Sequence, residues 1–228
     1  ALAVVHSQAG NIGGGGFMLV HLNKAGRTVA IDYREVAPRA ARPDMFLDEK
    51  GEVVPRRSQL THLASGVPGS VAGLLHALER YGRLDRATVM APAIELAQSG
   101  FPVSYTLSST LSSPWGQRLL ANEAAKSYLF KPDGSAYQPG EILRQPDLAW
   151  TLRQIAARGA TGFYEGPVAD RLVAEMERTK GLITKADLQN YKAIWRDPVA
   201  IPWNGHTIYT APPPSSGGIA VLQMLTFA

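Results

Sequence analysis

The sequence has no cysteine, so disulfides, thiolate zinc sites, cysteine nucleophiles and dithiol redox chemistry are excluded within these 228 residues. Charge is also sparse. Only 18% of the residues are charged, and 23 Lys and Arg against 19 Asp and Glu leave a net +4 spread along the chain. The densest basic stretch, Arg34, Arg39, Arg42, Arg56 and Arg57, is broken by acids and prolines and lacks the interleaved aromatics of a single-strand binder. No nucleic-acid partner is expected, and the net charge reads as solubility. No apolar run approaches the roughly eighteen residues of a membrane-spanning helix. The five histidines, His6, His21, His62, His76 and His206, form neither an HExxH motif nor a closely spaced pair. No metal site and no cofactor are implied. There is also no initial Met and no basic leader before ALAVVHSQAG, and the chain closes on the apolar IAVLQMLTFA without a cap. Both ends read as cut through structure, and a fragment is expected.

What is present is a core-forming composition, 45% apolar, with 22 Gly and 16 Pro but no low-complexity tract. FMLVHL at 17–22, the turn 23–26 and RTVAIDY at 27–33 predict a β-hairpin. Residues 36–62, rich in proline and charge, are expected to wander over the surface. Val71, Leu74, Leu75 and Leu78 predict a helix over 68–81 ending at Gly82. Residues 87–98, 147–158 and 167–178 carry the same periodicity and stop near Gly100, Gly159 and Gly181. Thr184 and Asp187 have the form of a capping box. VAIPW, Asn204-Gly205 and HTIYTA predict a second hairpin, because Asn-Gly supplies the two positive-φ residues of a type I′ turn. Helices between hairpins indicate an α+β protein with largely antiparallel strands. With no repeat and no linker, residues 1–228 are expected to form a single partial domain.

The glycine loop GNIGGGG at 10–16 is not a P-loop, since no Gly-Lys-Ser/Thr follows. It is not a dinucleotide fingerprint either, because it opens a strand and not a helix. Close backbone packing and approach of a ligand both remain open at this loop. Thr61-His62 is expected to be a loop threonine with local turn hydrogen bonds. Ser215 and Ser216 lack a G-x-S-x-G elbow and read as a turn before the next helix. The four tryptophans, Trp115, Trp150, Trp195 and Trp203, read as core or interface anchors. Asp187 reads as a cap and not as an acid catalyst.

A series of blocks running the length of the chain resembles the gamma-glutamyltranspeptidase family. They are SQAGNIGGGGFMLV (7–20), IDYREVAPRAA (31–41), SGVPGSVAG (65–73), GFYEGPVADRL (162–172), GLITKADLQNYKAIWRDPV (181–199) and PPPSSGG (212–218). The resemblance implies an N-terminal-nucleophile (Ntn) hydrolase, an αββα sandwich of which this is an incomplete large-subunit part. It implies a precursor that cuts itself, and a nucleophilic Thr at the start of a small subunit from that same precursor. That Thr would attack γ-glutamyl amides such as glutathione. Its free amine would serve as base, and backbone N–H groups would hold the oxyanion. The resemblance places both downstream of Ala228, so this chain is expected to hold no catalytic residue and to be inactive alone. Family members also imply a periplasmic or secreted location.

Arg34, in Asp32-Tyr33-Arg34-Glu35, is the substrate-binding candidate. The bare sequence reads it as a strand-end arginine paired with Glu35 or a neighbour. The resemblance makes it the clamp on the α-carboxylate of the γ-glutamyl group, a task suited to a planar, bidentate guanidinium. Glu35 would then hold Arg34 in place. Two alternatives to transpeptidase or hydrolase chemistry remain: a cephalosporin or glutaryl acylase of the same superfamily, and a non-catalytic binding protein on the same scaffold. The absence of a Thr-Thr-His-type processing site after Ala228 would favour the last.

Overall fold

A computed structural model describes residues 1–227, and their contacts divide them into two compact units. One unit comprises Ala1–Asn11 and Leu84–Phe163. It is mainly helical, built on helices Arg86–Ser99 and Pro146–Arg158, with the two-residue strands Phe101–Pro102 and Ile142–Leu143 paired antiparallel. Asp85 caps the first helix, accepting from the Thr88 N–H at 2.9 Å, and Gly100, at φ 93°, ends it. Arg86 reaches across to the end of the second helix, where its Nε donates to the Ala156 carbonyl at 2.9 Å. Gln145 is buried, yet its amide donates to the Val4 carbonyl and its backbone N–H to that of Ala97, so it is satisfied. Helices Tyr105–Ser112 and Glu123–Leu129 were not anticipated. Side-chain caps on Ser104 and Asn122 start them, but neither carries a long apolar stripe.

The other unit comprises Ile12–Arg83 and the residues from Tyr164 onward. Strand Phe17–Leu22 pairs antiparallel with Arg27–Asp32, which pairs antiparallel with Ile194–Arg196. The middle strand is buried at its end, at Ala30, Ile31 and Asp32, and it delivers the chain directly to Tyr33 and Arg34. The second hairpin, Val199–Trp203 with His206–Thr210, turns on Asn204 at φ 46° and Gly205 at φ 75°, as Asn-Gly requires. Every strand pair among the described residues is antiparallel, and the mixed α+β expectation holds.

Three local expectations need correction. Leu74 is 49% exposed, because helix Ser70–Tyr81 buries Val71, Gly73, Leu75 and Ala77 instead. Helix Gly166–Thr179 ends on Lys180 in the left-handed conformation (φ 61°), one residue before the expected Gly181. No described tryptophan is fully buried, and Trp115 is 55% exposed with Arg118 over its ring.

The capping box is present, and Asp187 does more than cap. Its Oδ2 accepts from the Thr184 N–H and hydroxyl, while Oδ1 accepts from the Arg39 N–H at 3.0 Å, tying helix Lys185–Asn190 to the loop after Arg34. Burial opposes the charge of Asp187, but these hydrogen bonds outweigh it and hold the carboxyl below the usual range. The folded pKa therefore lies below the unfolded one. The stabilisation is complete above the unfolded value, about 3.9, and is lost as pH falls through the depressed folded value. Asp187→Ala is expected to destabilise the complete protein by about 1–3 kcal/mol at neutral pH. In urea unfolding, the gap to the parent should shrink towards about pH 3. An unchanged gap there would show that the charged carboxylate is not what stabilises this junction.

Candidate functional site

Arg34 stands one residue beyond the sheet, in a segment without regular structure but with its backbone held on both sides. The sheet ladder continues one pair past its last strand residue: Tyr33 N–H donates to the Gly16 carbonyl at 2.9 Å, and Gly16 N–H to that of Tyr33 at 3.3 Å. On the other side, Val36 and Val67 form an isolated antiparallel bridge. Asp32 folds back over the turn, its Oδ1 accepting from the Arg34 N–H at 3.0 Å. The other carboxylate oxygen accepts from Arg196 Nε at 2.9 Å. Asp32 is 8% exposed, so both its oxygens are used where water cannot substitute. The Arg34 carbonyl accepts from the Tyr191 hydroxyl at 2.8 Å.

Tyr191 is itself placed by a stack. Its ring lies 5.8 Å from that of Tyr164, centroid to centroid, with only 5° between the planes. Tyr164 Oη donates to the Pro68 carbonyl at 2.9 Å and accepts from the Ala72 N–H at 3.2 Å, at the entry to helix Ser70–Tyr81. Burial, followed by the charges of Asp32 and Glu35, pushes the Tyr191 phenol up to about 12. Burial likewise holds Tyr164 far above its ordinary value, with the Ala72 N–H acting in the opposite direction. Both phenols keep their protons at neutral pH, so each remains a donor.

The glycine-rich segments pack against this backbone. A Cβ on Gly15 would come 2.5 Å from the Tyr33 carbonyl oxygen and 2.7 Å from the Glu35 nitrogen. One on Gly69 would collide with the Tyr33 carbonyl and the Tyr191 hydroxyl together. The Tyr33 ring covers Gly73. For Gly15, close backbone approach is thus the use made of the loop.

The Arg34 side chain extends into solvent, exposed, and forms no ion pair among the described residues. Glu35 is exposed as well, and its carboxylate lies against Gly15 without pairing to Arg34. A guanidinium on a fixed backbone, with no protein carboxylate of its own, can take a carboxylate from outside. The remaining sequence candidates are not assembled with it. Thr61 hydroxyl donates to the Arg57 carbonyl at 2.6 Å, an ordinary helical-turn bond. Ser215 lies in a turn, its N–H donating to the Pro212 carbonyl at 3.1 Å, immediately before helix Ser216–Phe227. Among the described residues no helix is long and apolar enough to cross a membrane.

Tyr164, Tyr191, Arg196 and Gly69 carry no motif that marks them as neighbours of Arg34. Asp32 alone was accessible locally, since an Asp two residues before a turn amide is an Asx-turn signature.

The family model for gamma-glutamyltranspeptidase matches residues 1–228. The glutathione hydrolase proenzyme of Escherichia coli strain K12 is 45% identical over 225 residues, 99% of this chain and 38% of that protein. The chain therefore spans well under half the length of that relative. Among solved structures, the gamma-glutamyltranspeptidase of Helicobacter pylori superposes with a TM-score of 0.92 at 45% identity, covering 99% of this chain and 64% of that one. The cephalosporin acylase of Bacillus halodurans superposes over 93% of this chain and 40% of its own, with a TM-score of 0.76 at 26% identity. These likenesses place the fold with the Ntn hydrolases, as expected.

Proposed function

The chain belongs to the gamma-glutamyltranspeptidase family, and from that premise we propose that it is part of a γ-glutamyltransferase or glutathione hydrolase. The reading is of an enzyme that cleaves γ-glutamyl amides such as glutathione. The nucleophile is a Thr in a small subunit cut from the same precursor, and relatives named as proenzymes support that processing. Attack of its hydroxyl on the γ-carbonyl gives an acyl-enzyme. Water then releases glutamate, or an amine takes the γ-glutamyl group.

Within this chain the working residue is Arg34, which binds the substrate α-carboxylate. The observation that carries this role is an exposed guanidinium without an ion pair among the described residues, on a backbone pinned at both its N–H and its carbonyl. Binding the α-carboxylate fixes the glutamyl chain at one end and so sets where its γ-carbonyl lies relative to the nucleophile. The gain is in orientation: a two-point contact restricts rotation, whereas a lysine would supply only a point charge.

The test is a paired rate assay on the complete, processed protein with γ-glutamyl p-nitroanilide and glutaryl p-nitroanilide. The two differ by the α-amino group. A site built to pair that amine should prefer the γ-glutamyl substrate by at least about 100-fold in kcat/KM. Preference for the glutaryl substrate would move the protein to the acylases, and turnover by the isolated 228 residues would overturn the assignment of the nucleophile to a missing subunit.

A further inference from the structure

We propose that Tyr191 is the positioning residue for Arg34: its hydroxyl, held by the stack on Tyr164, fixes the Arg34 carbonyl and so the direction in which the guanidinium leaves the backbone. The inference rests on Arg34 being the substrate-carboxylate clamp.

Among the described residues Arg34 has no ion pair to orient its side chain, and it lies outside regular structure. Its orientation therefore depends on the two peptide planes that flank its Cα. The preceding plane is held by the bond from the Arg34 N–H to Asp32, whose carboxylate is locked by Arg196. The following plane is held by Tyr191. With both planes fixed, the Cα–Cβ vector is fixed, and the flexible arginine starts from one direction and not from an ensemble. Less conformational freedom is then lost when a carboxylate binds.

The supports of Tyr191 are built for this contact. The parallel stack fixes its ring, and the Tyr164 hydroxyl bridges Pro68 and Ala72, so the pair is anchored to the start of helix Ser70–Tyr81. Gly69 leaves room for the Tyr191 hydroxyl beside the Tyr33 carbonyl, where any Cβ would displace it. Residues 157 positions apart in sequence thus meet at a single main-chain oxygen. The burial that keeps the phenol protonated keeps it a donor throughout the neutral range.

The experiment uses the complete, processed protein and two substrates, γ-glutamyl p-nitroanilide and 4-aminobutyryl p-nitroanilide, which lacks the α-carboxylate. Tyr191→Phe removes one oxygen and leaves the ring for the stack. It is expected to raise KM for the γ-glutamyl anilide about three- to tenfold, the range of one lost hydrogen bond, with kcat little changed. Turnover of the 4-aminobutyryl anilide should be unchanged, because Arg34 has nothing to grip there. Arg34→Ala is measured in parallel. If Arg34→Ala raises KM but Tyr191→Phe matches the parent, or slows both substrates alike, Tyr191 is only structural and the proposal falls while the clamp stands. If Arg34→Ala leaves KM unchanged, the clamp itself falls and this inference with it.

Discussion

In the complete, processed protein, Arg34→Ala is expected to raise KM for a γ-glutamyl anilide by roughly 10²–10³-fold. A guanidinium–carboxylate pair contributes two charge-assisted hydrogen bonds, each worth about 1.5–3 kcal/mol, so its loss amounts to about 3–4 kcal/mol after partial compensation by water. Cleavage of the precursor should continue, since the Arg34 guanidinium holds none of the described residues through an ion pair. Gel analysis of the subunits alongside the kinetics separates binding from processing. Arg34→Lys should recover only part of the loss, because a point charge restores attraction without the two-point register. An unchanged KM in Arg34→Ala would remove Arg34 from the site.

The local rules read this chain well where one stretch decides its own structure. Asn204-Gly205 demands a type I′ turn, and the hairpin follows in register, Trp203 opposite His206. Thr184 and Asp187 announced a helix start, and both reciprocal bonds are present. Arg34 was nameable because the family that its block resembles gives that position a role. Tyr164, Tyr191 and Arg196 lie in resembling blocks too, but a block does not say which residues of another block it touches. Asp32 reaches Arg34 locally, whereas Arg196, Tyr164 and Tyr191 arrive only through long-range packing, and no periodicity brings residue 191 to residue 34. Helix Tyr105–Ser112 escaped for the opposite reason, being rich in Ser and Thr with a short apolar face, so that its cap at Ser104 was its main signal. Lys180 shows a third limit: the left-handed position that ends a helix favours glycine, but it fell to Lys180 although Gly181 was adjacent.

The glycines connect these two levels, and Gly69→Ala is where they can be tested together. Gly69 has φ −115°, which any residue can adopt, so the constraint there is space and not conformation. An added Cβ would collide with the Tyr33 carbonyl, which already accepts from Gly16, and would lie 2.7 Å from Cζ of Tyr191. The first obstacle is backbone within the sheet extension and cannot rotate away. Gly69 N–H also donates to the Gly14 carbonyl at 2.8 Å, so the glycine cannot retreat without losing that bond. Overpacking of this kind is expected to destabilise the protein by about 1–3 kcal/mol. The relief of the clash must also move the Tyr33 carbonyl, which belongs to the peptide plane before Arg34, or Tyr191, which holds the plane after it. A lower unfolding temperature should therefore come with a higher KM for the γ-glutamyl anilide. Gly217→Ala is the matched control: the nearest atom to its Cβ is Ser215 Oγ at 3.9 Å, and the position lies within helix Ser216–Phe227. Helix propensity there favours alanine by about 1 kcal/mol or less, so neither stability nor KM should suffer. If Gly69→Ala unfolds and binds like the parent, the Arg34 backbone is not held by this packing, and its order must come from elsewhere.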